Sequence, residues 1–302
     1  MSFKKAVKSQ AKLRAAMFGP SGAGKTYSAL SIATGMGNKI ALIDSERSTA
    51  SKYADRFEFD QVDLETKSID EYVQYIKLAA TNGYDVLIID SLTHAWQALL
   101  ESVEKLAQAK YKGNTWSAWS EGTPEQRKLV DAIVSYPGHV IATMRSKTEW
   151  QTTTNDRGKT APVRVGLAPE QGKGIEYEFD ILFEISPEHL AHIIKDRSGK
   201  FQDQIIGKPG KEFGQQLVAW LNEGVAAPAK ISEQQYKEVM TEIGNILDSE
   251  DFGKRIFSPE EKNALREKIK ARLAELPKLE LKFAYISEVL EEHKKILHKR
   301  LM

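Results

Sequence analysis

Cysteine is absent from this 302-residue chain, which removes disulfides, thiolate catalysis and cysteine-ligated zinc from consideration. The six histidines show no metal-ligand spacing such as H-E-x-x-H. No apolar run approaches the roughly eighteen residues of a transmembrane helix, and Met1 to Leu13 lacks the apolar segment of a signal peptide. A bias to one charge is missing too. The 43 Lys/Arg and 42 Asp/Glu leave a formal charge of +1, so any nucleic-acid surface must come from local patterning. There are no internal repeats. A cytosolic protein with no membrane partner is the simplest account of these absences. The hydrophobic fraction of 41% and charged fraction of 28% are those of a globular protein, and the length suits one large or two ordinary domains.

Against that plain background one stretch stands out: Gly19-Pro20-Ser21-Gly22-Ala23-Gly24-Lys25-Thr26, with the spacing G-x-x-x-x-G-K-[ST] of a phosphate-binding loop. Glycines let backbone N–H groups turn inward onto phosphate oxygens, and the helix that follows presents its positive end to the same anion. Lys25 offers a point charge to the β- and γ-phosphates, and the Thr26 hydroxyl is a ligand for Mg²⁺. Leu13 to Phe18 reads as a strand before the loop, and Tyr27 to Met36 as a helix after it. The pattern implies binding of a nucleoside triphosphate.

Lys39 to Asp44 is a second apolar strand, ending in Asp44-Ser45-Glu46 at the carboxyl edge where ligands bind in open α/β sheets. Glu46 is a candidate for polarising the attacking water, or else a helix N-terminal carboxylate. Ser68 to Thr81 has the apolar spacing of an amphipathic helix. Tyr84 to Asp90 is a buried strand that delivers Asp90 beside Thr26, where it would organise Mg²⁺. Residues 92–135 read as helical, with a new helix starting at Thr123-Pro124-Glu125; Trp116 and Trp119 are suited to packing or to stacking on bases. Gly138 to Arg145 is the next strand, and Thr143 or Arg145 at its end could sense a γ-phosphate. From Arg145 to Gly174 the cations Arg145, Lys147, Arg157, Lys159, Arg164 and Lys173 face only Glu149, Asp156 and Glu170. With Trp150 and an Asn155-Asp-Arg-Gly158 turn, this stretch is either a loop that tracks a phosphate backbone or a solvated hairpin. Glu176 to Ile185 and His189 to Lys195 read as two strands. Lys195 and Arg197, two residues apart, point the same way and suit phosphate neutralisation. Residues 211–222 close this part as a helix.

Taken together, residues 12–200 resemble the RecA-like ATPases. Leu42-Ile-Asp-Ser-Glu46 is similar to the family strand whose glutamate is the catalytic base, and Asp90-Ser91 to its Walker B pair. Tyr53, seven residues after Glu46, stands at the spacing where the family places an adenine-stacking aromatic, and Tyr27 joins the loop residues as a nucleotide-binding candidate. Arg145 matches the γ-phosphate sensor, although the family has a different polar residue there, and 146–174 match its mobile DNA-binding loop. Lys195 and Arg197 resemble the cation pair that reaches into a neighbouring subunit's ATP, and Phe3-x-x-Ala6 the tether that links protomers. Lys173-Gly-Ile-Glu-Tyr-Glu-Phe-Asp180 looks most like phage-encoded RecA-like single-strand annealing proteins.

The resemblance implies an α/β RecA-like core with ATP and Mg²⁺ as cofactors. It also implies single-stranded DNA as partner, with a single-strand-binding protein as a further one, and head-to-tail self-assembly as filament or ring. The expected organisation is an arm over 1–11, an ATPase core over 12–222, a linker over 223–230 and a small all-helical domain over 231–302. Rival readings are a motor or loader acting on protein or duplex DNA, and a low-turnover ATP-dependent switch.

Overall fold

The computed structural model describes residues 7–8, 10–154, 160–224, 233–251, 254–275 and 279–301. They form two compact units, Met1–Val225 and Ala226–Met302. The first is built on a nine-stranded sheet. Its first strand, β1 (Arg14–Gly19), is buried on both faces, as are β2 (Ile40–Asp44) and β4 (Val86–Asp90). Side chains of a strand alternate between faces, and here both faces are covered. Phe18, Ile43 and Ile89 pack on one side with α2 (Ile69–Thr81), α3 (Leu92–Lys110) and α4 (Thr115–Ser135). Met17, Leu42 and Ile88 pack on the other with α1 (Lys25–Ala33) and α5 (Lys211–Leu221). This double burial explains why the strands read as continuous apolar runs rather than alternations.

The order across the sheet is β3-β2-β4-β5-β1-β7-β8-β9, where β3 is Asp60–Asp63, β5 His139–Thr154, β7 Ile181–Ile185, β8 Leu190–Asp196 and β9 Ile205–Gly207. From β3 to β7 all pairings are parallel; β8 and β9 are antiparallel additions. This is a mostly parallel α/β sheet flanked by helices on both faces, the architecture expected from the sequence. Register decides what meets at its carboxyl edge. Gly19 pairs with Arg145 and Asp44 with Asp90, so the ends of β1, β2 and β4 converge there beside Arg145 of β5. At the opposite end Leu13 N–H donates to His139 Nδ1 at 3.0 Å. The buried Arg14 guanidinium donates to the carbonyls of Leu13, Gly138, Val134 and Tyr136, fastening β1 to β5.

Several elements differ from the sequence reading. The helix after the phosphate loop runs Lys25–Ala33 rather than to Met36. Pro124 does not start a helix. It lies inside α4, which begins at Thr115 with the Asn114 side chain accepting from Ser117 N–H. One backbone bond is lost at the proline, while Ala118, Leu129 and Ile133 keep the helix packed in the core. Trp119 stacks on Trp96 with ring centroids 5.6 Å apart, whereas Trp116 is 87% exposed. Residues 176–180 are not strand. Ile175–Glu178 form a 3-10 turn entered through Gly174 at φ 93°, because Asp180 turns back to accept from Arg14 N–H. Finally, β5 does not stop at Arg145 but continues into a hairpin with β6 (Thr160–Pro169). The turn expected at Asn155–Gly158 and the Phe3-x-x-Ala6 tether lie outside the described residues.

The second unit packs α6 (Glu233–Leu247), α7 (Pro259–Glu275) and α8 (Leu279–Leu301) around Ile243, Leu265, Ile269 and Ile286. The capping box at the start of α7 is complete, with Glu261 N–H donating to Ser258 Oγ and Ser258 N–H to Glu261 Oε2. The all-helical expectation misses one feature. A two-stranded ladder, β10 (Glu250–Asp251) with β11 (Lys254–Arg255), precedes α7 and is too short to show a period in sequence.

Candidate nucleotide site

The loop between β1 and α1 is shaped by left-handed glycines. Gly22 and Gly24 have φ of 80° and 87°, values that cost an L side chain about 1–2 kcal/mol. Gly19 is held by contact instead, since a Cβ there would stand 2.3 Å from the Ile185 carbonyl oxygen of β7. The loop opens on a cavity of about 550 Å³, walled by Lys25, Thr26, Glu46, Asp90, Arg145 and Glu170 in addition to the loop residues. Three carboxylates and two cations of distant sequence origin thus share one space.

Each polar group has an identifiable partner. Lys25 Nζ folds back onto the carbonyls of Gly19 and Pro20 at 3.0 and 2.9 Å. Burial lowers its pKa, while Asp90 and Glu46 act to raise it. Thr26 Oγ1 donates to Asp90 Oδ2 at 2.5 Å, and Thr143 Oγ1 donates to the other Asp90 oxygen. Burial pushes the Asp90 carboxyl up and the two hydroxyls pull it down. Thr143 therefore braces Asp90 and does not line the cavity. Burial likewise raises Asp44, whose carboxylate accepts from Glu46 and Ala50 N–H and so shapes the turn that aims Glu46. Arg145 reaches across to Glu46, Nη2 to Oε1 at 2.9 Å.

These residues suit Mg-ATP. The Thr26 hydroxyl and Asp90 carboxylate stand side by side as hard oxygen donors, and the first turn of α1 carries no acid to cancel its positive end. A second cavity of about 390 Å³ adjoins the first, bounded by Tyr27, Tyr53, His189 and Pro209. Tyr27 meets Tyr53 edge-on, centroids 5.7 Å apart, so the two expected aromatics share this wall. His189, whose Nδ1 is 2.9 Å from the Ala23 carbonyl oxygen, was not legible as a site residue, nor was Glu170. Only the tertiary path of β8 and of the hairpin brings them to the loop.

Lys195 and Arg197 line neither cavity of their own chain. Both bind the 3-10 turn, Lys195 Nζ to the Glu176 carbonyl at 2.7 Å and Arg197 to the Tyr177 carbonyl at 2.6 Å, with Asp180 3.2 Å from Arg197. Of the cations expected to contact DNA, Lys147 and Lys173 are exposed. The side chains of Trp150, Arg157, Lys159 and Arg164 lie outside the described residues. Among the described residues no cluster of three or more His, Cys, Asp or Glu forms a metal site, and no helix is long and apolar enough to cross a membrane.

A family model described as an AAA domain matches residues 11–232. No curated protein matches the chain. Among solved structures, one titled as a prototypical ATPase from the type III secretion system of pathogenic bacteria is 13% identical with a TM-score of 0.36. That match covers 94% of this chain and 81% of that one.

Proposed function

The chain belongs to the AAA-domain family of P-loop ATPases, and from that premise we propose an ATP-dependent single-stranded-DNA-binding protein that assembles head to tail and promotes annealing or strand exchange. The observation that carries this reading is the course of β5. The strand places Arg145 in the nucleotide cavity and then runs without a break into the β5–β6 hairpin, part of the 145–174 stretch of six cations against three acids. A phosphate backbone bound along that hairpin would pull on the residue that touches Glu46.

Bound Mg-ATP supplies the phosphoanhydride and the divalent charge. The chain supplies the rest. The loop amides and Lys25 would hold phosphate oxygens, and Thr26 with Asp90 would hold the metal. Glu46 would orient and deprotonate the attacking water, and Tyr27 and Tyr53 would flank the nucleoside end. Lys195 and Arg197, which line neither cavity of their own chain, would complete the site of a neighbouring protomer. Single-stranded DNA should raise the rate of ATP hydrolysis, and the stimulation should fall steeply from low to moderate salt as counterion release weakens binding. Unchanged turnover, with no binding at low salt, would remove the DNA reading and leave an AAA-domain ATPase with another client.

A second reading has its own observation. In this structure the Glu46 carboxylate is engaged by Arg145, as a low-turnover switch requires. DNA-stimulated turnover would exclude it.

A further inference from the structure

Where β4 ends at Asp90, β5 loses its neighbour on that side; the β4–β5 pairing extends to Ile89 and Ala142. Beyond that point the part-buried Arg145 N–H on β5 has no strand partner on that side and takes another acceptor. Thr93 provides it. This side chain, fully buried in the first turn of α3, accepts from Arg145 N–H at 2.9 Å and donates to the Glu170 carbonyl at 3.1 Å. Arg145 and Glu170 are themselves bonded across the neck of the hairpin, Glu170 N–H to the Arg145 carbonyl at 2.7 Å. Two further contacts rivet the returning strand to the same helix. Gln97 Nε2 donates to Glu170 Oε1 at 2.8 Å, and the buried Gln171 donates to the Leu92 carbonyl at 2.9 Å. One hydroxyl, three residues after Asp90, thus clasps the backbone of both sides of the hairpin neck, at the two residues whose side chains line the cavity.

We infer that Thr93 is a positioning residue for hydrolysis: its hydroxyl sets the depth of Arg145 in the cavity and ties any movement of the hairpin to the Glu46–Arg145 pair. The inference rests on the ATPase reading. Thr93→Val keeps the shape of the side chain and removes the bridge, leaving Arg145 N–H without its acceptor. Thr93→Ser keeps the bridge and removes a methyl group.

The test compares the two variants in the full chain by two measurements. In steady-state hydrolysis Thr93→Val should lower kcat about 10- to 100-fold with KM within about twofold, the scale of a misplacement near 1 Å, while Thr93→Ser stays close to wild type. In nucleotide-free protein, amide exchange at Arg145 should be at least about tenfold faster in Thr93→Val and unchanged in Thr93→Ser, since the lost bond is local. Equal defects in both variants would assign the role to the methyl group and overturn the proposal, as would a Thr93→Val protein with normal kcat. If wild type does not hydrolyse ATP, the ATPase reading fails, and the exchange measurement still decides whether Thr93 holds Arg145.

Discussion

His139 supplies a test of the frame that carries the site. It is 5% exposed at the start of β5, and its Nδ1 accepts the Leu13 amide, so the ring has to stay neutral there. Burial lowers its pKa to about 4 from 6.5; Lys12 and Arg14 push in the same direction, and Asp85 only partly opposes them. Because the folded value lies below the unfolded one, acid favours the unfolded chain. The stability tied to neutral His139 is fully present above 6.5 and is lost as the pH falls toward 4. At about 1.4 kcal/mol per pH unit the whole effect is about 3 kcal/mol, of which about 2 kcal/mol is gone by about pH 5. Urea unfolding of wild type and His139→Gln near pH 8 and near pH 5 isolates it. Wild type should lose about 2 kcal/mol more than the variant across that interval. The comparison is insensitive to any constant cost of the substitution. Identical pH dependence in the two proteins, or a folded-state imidazole that titrates near 6.5 by NMR, would refute the reasoning.

Two other outcomes follow from the geometry. Gly19→Ala forces a Cβ against the Ile185 carbonyl of β7, an overpacking that should cost about 1–3 kcal/mol and lower Tm by several degrees; an unchanged melting temperature would show that β1 and β7 separate freely. Replacing Lys195 and Arg197 together by Ala should reduce turnover about 10³-fold or more while ATP affinity by fluorescence titration stays within a few-fold, and normal turnover would end their assignment to a neighbour's site.

The local chemistry of the phosphate loop was legible because it depends on consecutive residues. Left-handed glycines, a lysine and a hydroxyl must follow one another along the backbone. The buried strands were legible for a similar reason, since double burial writes itself as an uninterrupted apolar run through Ile40–Ile43 and Val86–Ile89. Asp90 and Glu46 could be placed because a strand's end fixes which edge its next side chain reaches. Helix α4 was misread at Pro124, where tertiary packing outweighed a local signal. The 3-10 turn at 175–178 was missed because a partner far away, the Arg14 amide, decides it.

What only the tertiary structure decided is how these groups are shared out. Nothing in spacing says that Thr143 braces Asp90, that Arg145 occupies Glu46, or that His189 and Glu170 face the loop. Those relations depend on strand order and register, which are set by long-range burial and not by neighbouring residues. The same holds for Thr93, a threonine in an apolar helix start until β4 ends, β5 continues, and its hydroxyl becomes the acceptor for the Arg145 amide.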